Sequence, residues 1–210
     1  GSDVLHIAFS SGLSGTANAA RLAAETLKEE FPDRKIIVID SLCASLGQGL
    51  LVDYALRMKD EGKSMEETAQ WVQDHLQNIC HLFTVDDLKY LQRGGRISKT
   101  TALLGTMIGI KPVLHVDEEG KLVPLSKVRG RKQSIQALVD KMEQNIGSYR
   151  SQKQPIFISH GDCEEDAKYL AGLVKERFGY DECLINIIGP TIGAHAGPGT
   201  LALFFLGDVR

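Results

Sequence analysis

Residues 4–16, Val4-Leu5-His6-Ile7-Ala8-Phe9-Ser10-Ser11-Gly12-Leu13-Ser14-Gly15-Thr16, decide the fold. A run of strand formers breaks into hydroxyls and glycines, and an alanine-rich stretch of helical spacing follows, with Ala20, Ala23, Ala24 and Leu27 on one face. That is strand, tight turn, helix. The turn offers three serine hydroxyls, and a helix start brings unpaired N–H groups and a partial positive charge. Such a place suits an anion. A helix cap with no ligand would use the same residues.

Outward from this unit, the helix spans about Thr16–Phe31 and stops at Pro32-Asp33, and Lys35–Asp40 is a short apolar strand. A helix over about 44–59 follows. Ser64-Met65-Glu66-Glu67 forms a capping box for a third helix to about Asn78, and His81–Val85 is a strand. Strands alternating with helices predict a parallel, layered sheet through residue 85. Beyond it the grammar changes. Asp86 caps a short helix over 87–92, and Arg93-Gly94-Gly95-Arg96 opens a glycine-rich basic loop. Strands at Val113–Asp117 and Leu122–Val128 are joined by a hairpin connection. A helix covers about 132–146, a strand 156–161, and a helix capped by Asp162 extends to about Phe178. Strands at 183–189 and 201–205 close the chain. Between these last two, Gly189–Gly199 is too rich in glycine and proline for a regular element. The expected class is α/β in two domains. Residues 1–85 form a parallel-sheet domain, and residues 86–210 an α/β domain with a mixed or antiparallel sheet.

Composition excludes much. The 210 residues are 43% hydrophobic and 24% charged, with a net charge of −3 that gives no reason to expect nucleic acid. No apolar run reaches the roughly 18 residues of a spanning helix. Cys43, Cys80, Cys163 and Cys183 are widely spaced and read as reduced, mostly buried thiols of a cytoplasmic protein. Cys80, His81 and His75 lack a fourth ligand at any usual zinc spacing, so neither a metal nor a cofactor is expected.

Three features carry chemistry. Ser14 lies in Gly12-Leu13-Ser14-Gly15-Thr16, one residue away from a nucleophile elbow, with Thr16 where the elbow needs glycine. His195 stands among Gly193, Gly197, Pro198 and Gly199, in a loop of the kind that lies at strand ends in α/β sites. Arg96 and Lys99, with Lys127, Arg129, Arg131 and Lys132, form a basic set that reads either as a solvated surface or as a docking face for an acidic partner. One alternative follows from the residues alone: a serine hydrolase using Ser14 and His195, in which no acid stands out.

Several stretches occur in one order: Ser10–Thr16, Asp40-Ser41 with Ala44-Ser45 and Gly47-Gln48-Gly49, Leu91–Ser98, Ile110-Lys111-Pro112, Arg129-Gly130-Arg131, and Ile192–Thr200. Together they resemble the DegV family of bacterial fatty-acid-binding proteins. The resemblance implies two α/β domains with one long-chain fatty acid in a tunnel at their interface. It further implies a non-catalytic subunit of fatty acid kinase, presenting the carboxylate to a separate ATP-dependent kinase subunit that makes an acyl phosphate for phospholipid synthesis. Carried onto this chain, Ser11, Ser14, the amide near Gly15 and His195 hold the carboxylate. Leu103, Leu104, Met107, Ile108 and Ile110 line the tail's tunnel, and Arg96, Arg129 and Arg131 face the partner. Full-length members of the family carry a preceding stretch of roughly eighty residues, without which the first sheet would expose an edge.

Overall fold

The opening stretch folds as its pattern predicts. In the computed structural model, which describes residues 2–100 and 109–210, β1 (Val4–Ala8) leads through the serine turn into α1 (Thr16–Glu30). β2 (Ile36–Asp40) lies parallel to β1, in register from Val4 opposite Ile36 to Ala8 opposite Asp40. The pairing continues past the strand ends: Ser41 N–H donates to the Ala8 carbonyl at 3.0 Å and Ser10 N–H to the Cys43 carbonyl at 2.9 Å. The loops leaving β1 and β2 are thereby held side by side. α2 (Leu46–Asp60) and α3 (Met65–Asp74) follow, the latter started by the Ser64–Glu67 capping box and continued by a 3₁₀ turn, Leu76–Asn78.

The next strand departs from the expected parallel layer. β3 (Ile79–Thr84) joins a six-stranded mixed sheet with β4 (Ile110–Val116), β5 (Leu122–Arg129), β6 (Ile156–His160), β7 (Cys183–Ile187) and β8 (Leu201–Leu206). The order is β5-β4-β3-β8-β6-β7, antiparallel except for the β6–β7 pair. Sheet membership therefore changes between Asp40 and Ile79, earlier than residue 85. The cause is burial. All six residues of β3 are buried, and a strand that hides both faces belongs in the middle of a sheet covered on both sides.

α5 (Arg131–Asn145) and α6 (Glu164–Phe178) cover one face of this sheet; α2, α3 and the small sheet cover the other. Alternation divides the strands between two cores. Ala202, Phe204 and Leu206 of β8 face the small sheet, while Leu201, Leu203 and Phe205 face α5 and α6. The short helix α4 (Lys89–Arg93) has Leu88 at its cap position and the Asp87 carboxylate accepting the Lys89 N–H at 2.9 Å, and Asp86 is not its cap. Asp162 does not cap α6 either; Cys163 holds that position, and Asp162 takes a left-handed φ of 56°. Within Gly189–Gly199 a helix does form, α7 (Pro190–Ala196), because Pro190 occupies the first turn, where its missing N–H costs nothing.

Arg210 ties the two units together. Its buried guanidinium donates to the carbonyls of Leu76 at 2.6 Å, Val116 at 3.3 Å and Leu42. The four cysteines are free thiols, and burial pushes Cys43 and Cys80 up to about 12.

Candidate functional site

Between the small sheet and the six-stranded sheet lies a cavity of about 350 Å³, within the usual range for small-molecule sites of about 300–1,000 Å³. Phe83, Ala202 and Phe204 of the large sheet form an apolar floor. Val116 and Leu122 at the base of the β4–β5 hairpin, Leu91 of α4, and Ile188 and Ile192 near α7 add apolar walls. Ser14, Thr16, Arg96 and His195 line it too, and the wall is therefore mostly grease with a few polar side chains.

The serine turn is locked from beneath. Ser10, fully buried, donates its hydroxyl to the Gly120 carbonyl at 2.8 Å and accepts the Gly12 N–H at 3.1 Å. Leu13 and Ser14 both donate their N–H groups to the Ser10 carbonyl at 3.1 Å. Glycine is needed twice here. A Cβ on Gly12 would stand 2.7 Å from the Glu119 carbonyl oxygen, and one on Gly120, already at φ +74°, would stand 2.1 Å from the Ser10 hydroxyl. The hairpin tip and the serine turn thus interlock backbone against backbone. Asp40 steadies the same turn, its Oδ1 accepting N–H groups from Ser11 and Leu42 at 3.1 Å each. Ser14 Oγ lies 2.8 Å from Thr16 Oγ1 and accepts the Thr16 N–H at 3.3 Å.

Arg96 and His195 meet the turn from the other unit. The Arg96 guanidinium donates to the Leu13 carbonyl at 3.2 Å and to the Gly94 carbonyl. The His195 ring rests on Gly94, where a Cβ would fall 2.2 Å from Nδ1. The Ser14 hydroxyl, the Arg96 guanidinium and the His195 imidazole, separated widely in sequence, therefore line one cavity, and all three side chains are half-buried.

The expected residues fare differently. Ser14, Arg96 and His195 are on the cavity wall. Ser11 and Gly15 are exposed and off it, because the tight bend closed on the Ser10 carbonyl turns them outward. Ile110 is half-buried at the start of β4, paired with Arg129, and does not line the cavity. Leu103, Leu104, Met107 and Ile108 lie outside the described residues. The three arginines expected to face a partner separate. Arg96 points to the cavity, and Arg129 is exposed. Arg131 is held by Asp166 at 2.8 Å, Asp86 at 3.8 Å and the Cys163 sulfur at 3.4 Å.

Sequence reasoning missed three wall residues. His81 is buried; its Nδ1 donates to the Ile79 carbonyl at 3.0 Å and its Nε2 accepts the Ala44 N–H at 3.3 Å. Burial first, and the Arg210 charge second, hold its pKa well below the usual histidine value, so the ring is neutral. Ser45 follows Ala44 in a left-handed conformation, φ 52° and ψ −135°, that costs a residue with a side chain about 1–3 kcal/mol. Its hydroxyl donates to Ser159 of β6 at 3.1 Å. The one signal for Ser159 is its place two residues after Phe157, on the same inward face of a mostly apolar strand.

Among the described residues no group of three His, Cys, Asp or Glu side chains could hold a metal, and no helix is long and apolar enough to cross a membrane.

Residues 1–208 match the family described as "uncharacterised protein, DegV family". The chain is 47% identical to a DegV domain-containing protein of Clostridium perfringens over 210 residues, all of this chain and 72% of that protein. Among solved structures it is similar to the fatty acid kinase B3 protein of Streptococcus pneumoniae loaded with linoleic acid. The TM-score is 0.88 at 28% identity, over 96% of this chain and 70% of that one. A DegV family protein of Thermus thermophilus, described by its fatty acid binding, superposes with a TM-score of 0.84 at 30% identity, over 98% and 71% of the two chains. With its α/β architecture, its serine turn and its extended match to these proteins, the chain belongs to the DegV family.

Proposed function

We propose that this protein holds one long-chain fatty acid in the cavity between its sheets and presents the carboxylate to a separate kinase subunit for acyl-phosphate formation. The observation that carries this reading is the asymmetry of the cavity. Its wall is mainly apolar, and the half-buried Ser14, Arg96 and His195 share its outer edge, apart from the buried His81 and Ser159 within. Burying the alkyl chain supplies most of the affinity, at about 0.8 kcal/mol per CH₂ before ordering costs. The hydroxyls, imidazole and guanidinium orient the acid head and compensate its lost hydration. The linoleic acid in the pneumococcal relative and the fatty acid binding of the Thermus protein support the same ligand class.

In this reading the protein is a carrier in the cytoplasm, with no chemistry of its own. Ser14 engages Thr16, where a hydrolase would pair it with histidine. The exposed Arg129 is available to the kinase partner, whereas Arg131 is committed to Asp166.

The test is mass spectrometry of the purified protein after denaturation, followed by stearate titration of the delipidated protein. A long-chain acid released in near-stoichiometric amount is the expected result. Hydrogen bonds to a charged group contribute about 1.5–3 kcal/mol, so Ser14→Ala and His195→Ala should each weaken binding at least about tenfold. No released acid and no stearate binding would overturn the proposal, as would labelling of Ser14 by a fluorophosphonate.

A further inference from the structure

The cavity has polar groups in two places, and only one is used by the proposed carboxylate site. The second is the pair Ser45 and Ser159. Ser159 is 1% exposed, on the central part of the sheet floor, opposite Ala202 of β8 and one row from Phe157 and Phe204. It is fully buried, in contrast to the half-buried Ser14, Arg96 and His195. Two hydroxyls carry two O–H hydrogens, and the single 3.1 Å contact between them uses one. Among the described residues neither hydroxyl has a further partner. One donor and several lone pairs are left facing a chamber lined here by Phe83, Ala202 and Phe204, with His81 committed to the Ala44 N–H and the Ile79 carbonyl. Each hydroxyl is satisfied by the other, and the spare O–H hydrogen of the pair has an oxygen-bearing ligand in the cavity as its natural acceptor.

We propose that Ser45 and Ser159 form a second polar subsite that takes a hydroxyl borne on the alkyl chain of the fatty acid, so that the protein accepts hydroxylated long-chain acids. The free serine hydrogen donates to the ligand hydroxyl oxygen, and the ligand hydrogen returns to a serine lone pair. A plain chain leaves that donor unpaired. A hydroxyl at any other point along the chain is buried against apolar side chains and loses its water without replacement. The subsite is therefore position-selective. This inference rests on the fatty-acid reading above and adds to it the class of acid preferred.

The experiment compares dissociation constants of stearate and a series of monohydroxystearates, with the hydroxyl stepped along the chain, on the delipidated protein. One position should bind about tenfold more tightly than the other hydroxylated isomers, which is about 1.4 kcal/mol. In Ser159→Ala, and independently in Ser45→Ala, that optimum should flatten; the second variant serves if the first fails to fold. Stearate binding with no positional optimum, or an optimum unchanged in a folded Ser159→Ala or Ser45→Ala protein, would overturn this inference and leave the carrier reading standing. Failure of stearate and of every isomer to bind would overturn both.

Discussion

The small parallel sheet and the six-stranded sheet are built to different standards. In β3, β6 and β8 every residue is buried. In β1 the first residue, Val4, is 46% exposed, and Leu22, Val52 and Leu56 of the helices around it stand in solvent as well. The serine turn grows from the less enclosed unit, yet it is held from three sides, by Gly120, Asp40 and Arg96. The contrast teaches where the site's precision comes from. The cavity floor is rigid because the large sheet is packed on both faces. The polar edge is rigid because the second unit's loops grip the first unit's turn. Stability and binding should therefore respond to different substitutions.

The largest effect sharpens that contrast. Phe205→Ala, on the face of β8 away from the cavity, should lower unfolding free energy by about 3–5 kcal/mol in urea denaturation. Leu22→Ala on α1, 57% exposed, should change it by less than about 0.5 kcal/mol. Comparable losses at the two sites would break the distinction between the units.

A second effect separates the floor from the surface by pH. His81 is kept neutral in the fold, with a native pKa below the unfolded value of about 6.5. Below that value the unfolded chain binds a proton the native state refuses. Its contribution is present above about pH 6.5 and is lost as pH falls, by up to about 1.4 kcal/mol per pH unit. Half-buried His115, also shifted down mainly by burial, acts in the same direction. Urea midpoints at pH 7.5 and 5.5 measure this. A His81→Asn variant that folds should show a shallower fall, and an equal fall would remove His81 as the cause.

A smaller effect probes the first unit alone. Ser64→Ala breaks the reciprocal bonds at the start of α3, Glu67 N–H to Ser64 Oγ at 3.1 Å and Ser64 N–H to Glu67 Oε2 at 2.8 Å. The expected loss is about 1 kcal/mol, with fatty-acid affinity unchanged.

Much of this was legible in the chain, for local reasons. Strand, turn and helix over residues 4–30, the capping box at Ser64 and the hairpin around Gly120 are each written within a few residues. That Ser14 and His195 share one cavity wall was expected from the family resemblance and not from any local pattern. Long-range facts were not. An apolar run such as Ile79–Thr84 looks the same whether its neighbours run parallel or antiparallel, and only burial on both faces places it. The helix at Pro190 hid behind glycines that each discourage helix, although proline favours a first turn. Ser45 and Ser159 are separated by 114 residues, so no local pattern could join them. Arg131 looked free because Asp86 and Asp166 are remote in sequence and adjacent only in the fold.

The most direct measurement is a crystal structure of the protein with stearate. The account predicts an elongated ligand across Phe83 and Phe204, its carboxylate within hydrogen-bond distance of Ser14 and His195. A carboxylate seated elsewhere, or a cavity that stays empty at saturating stearate, would contradict it.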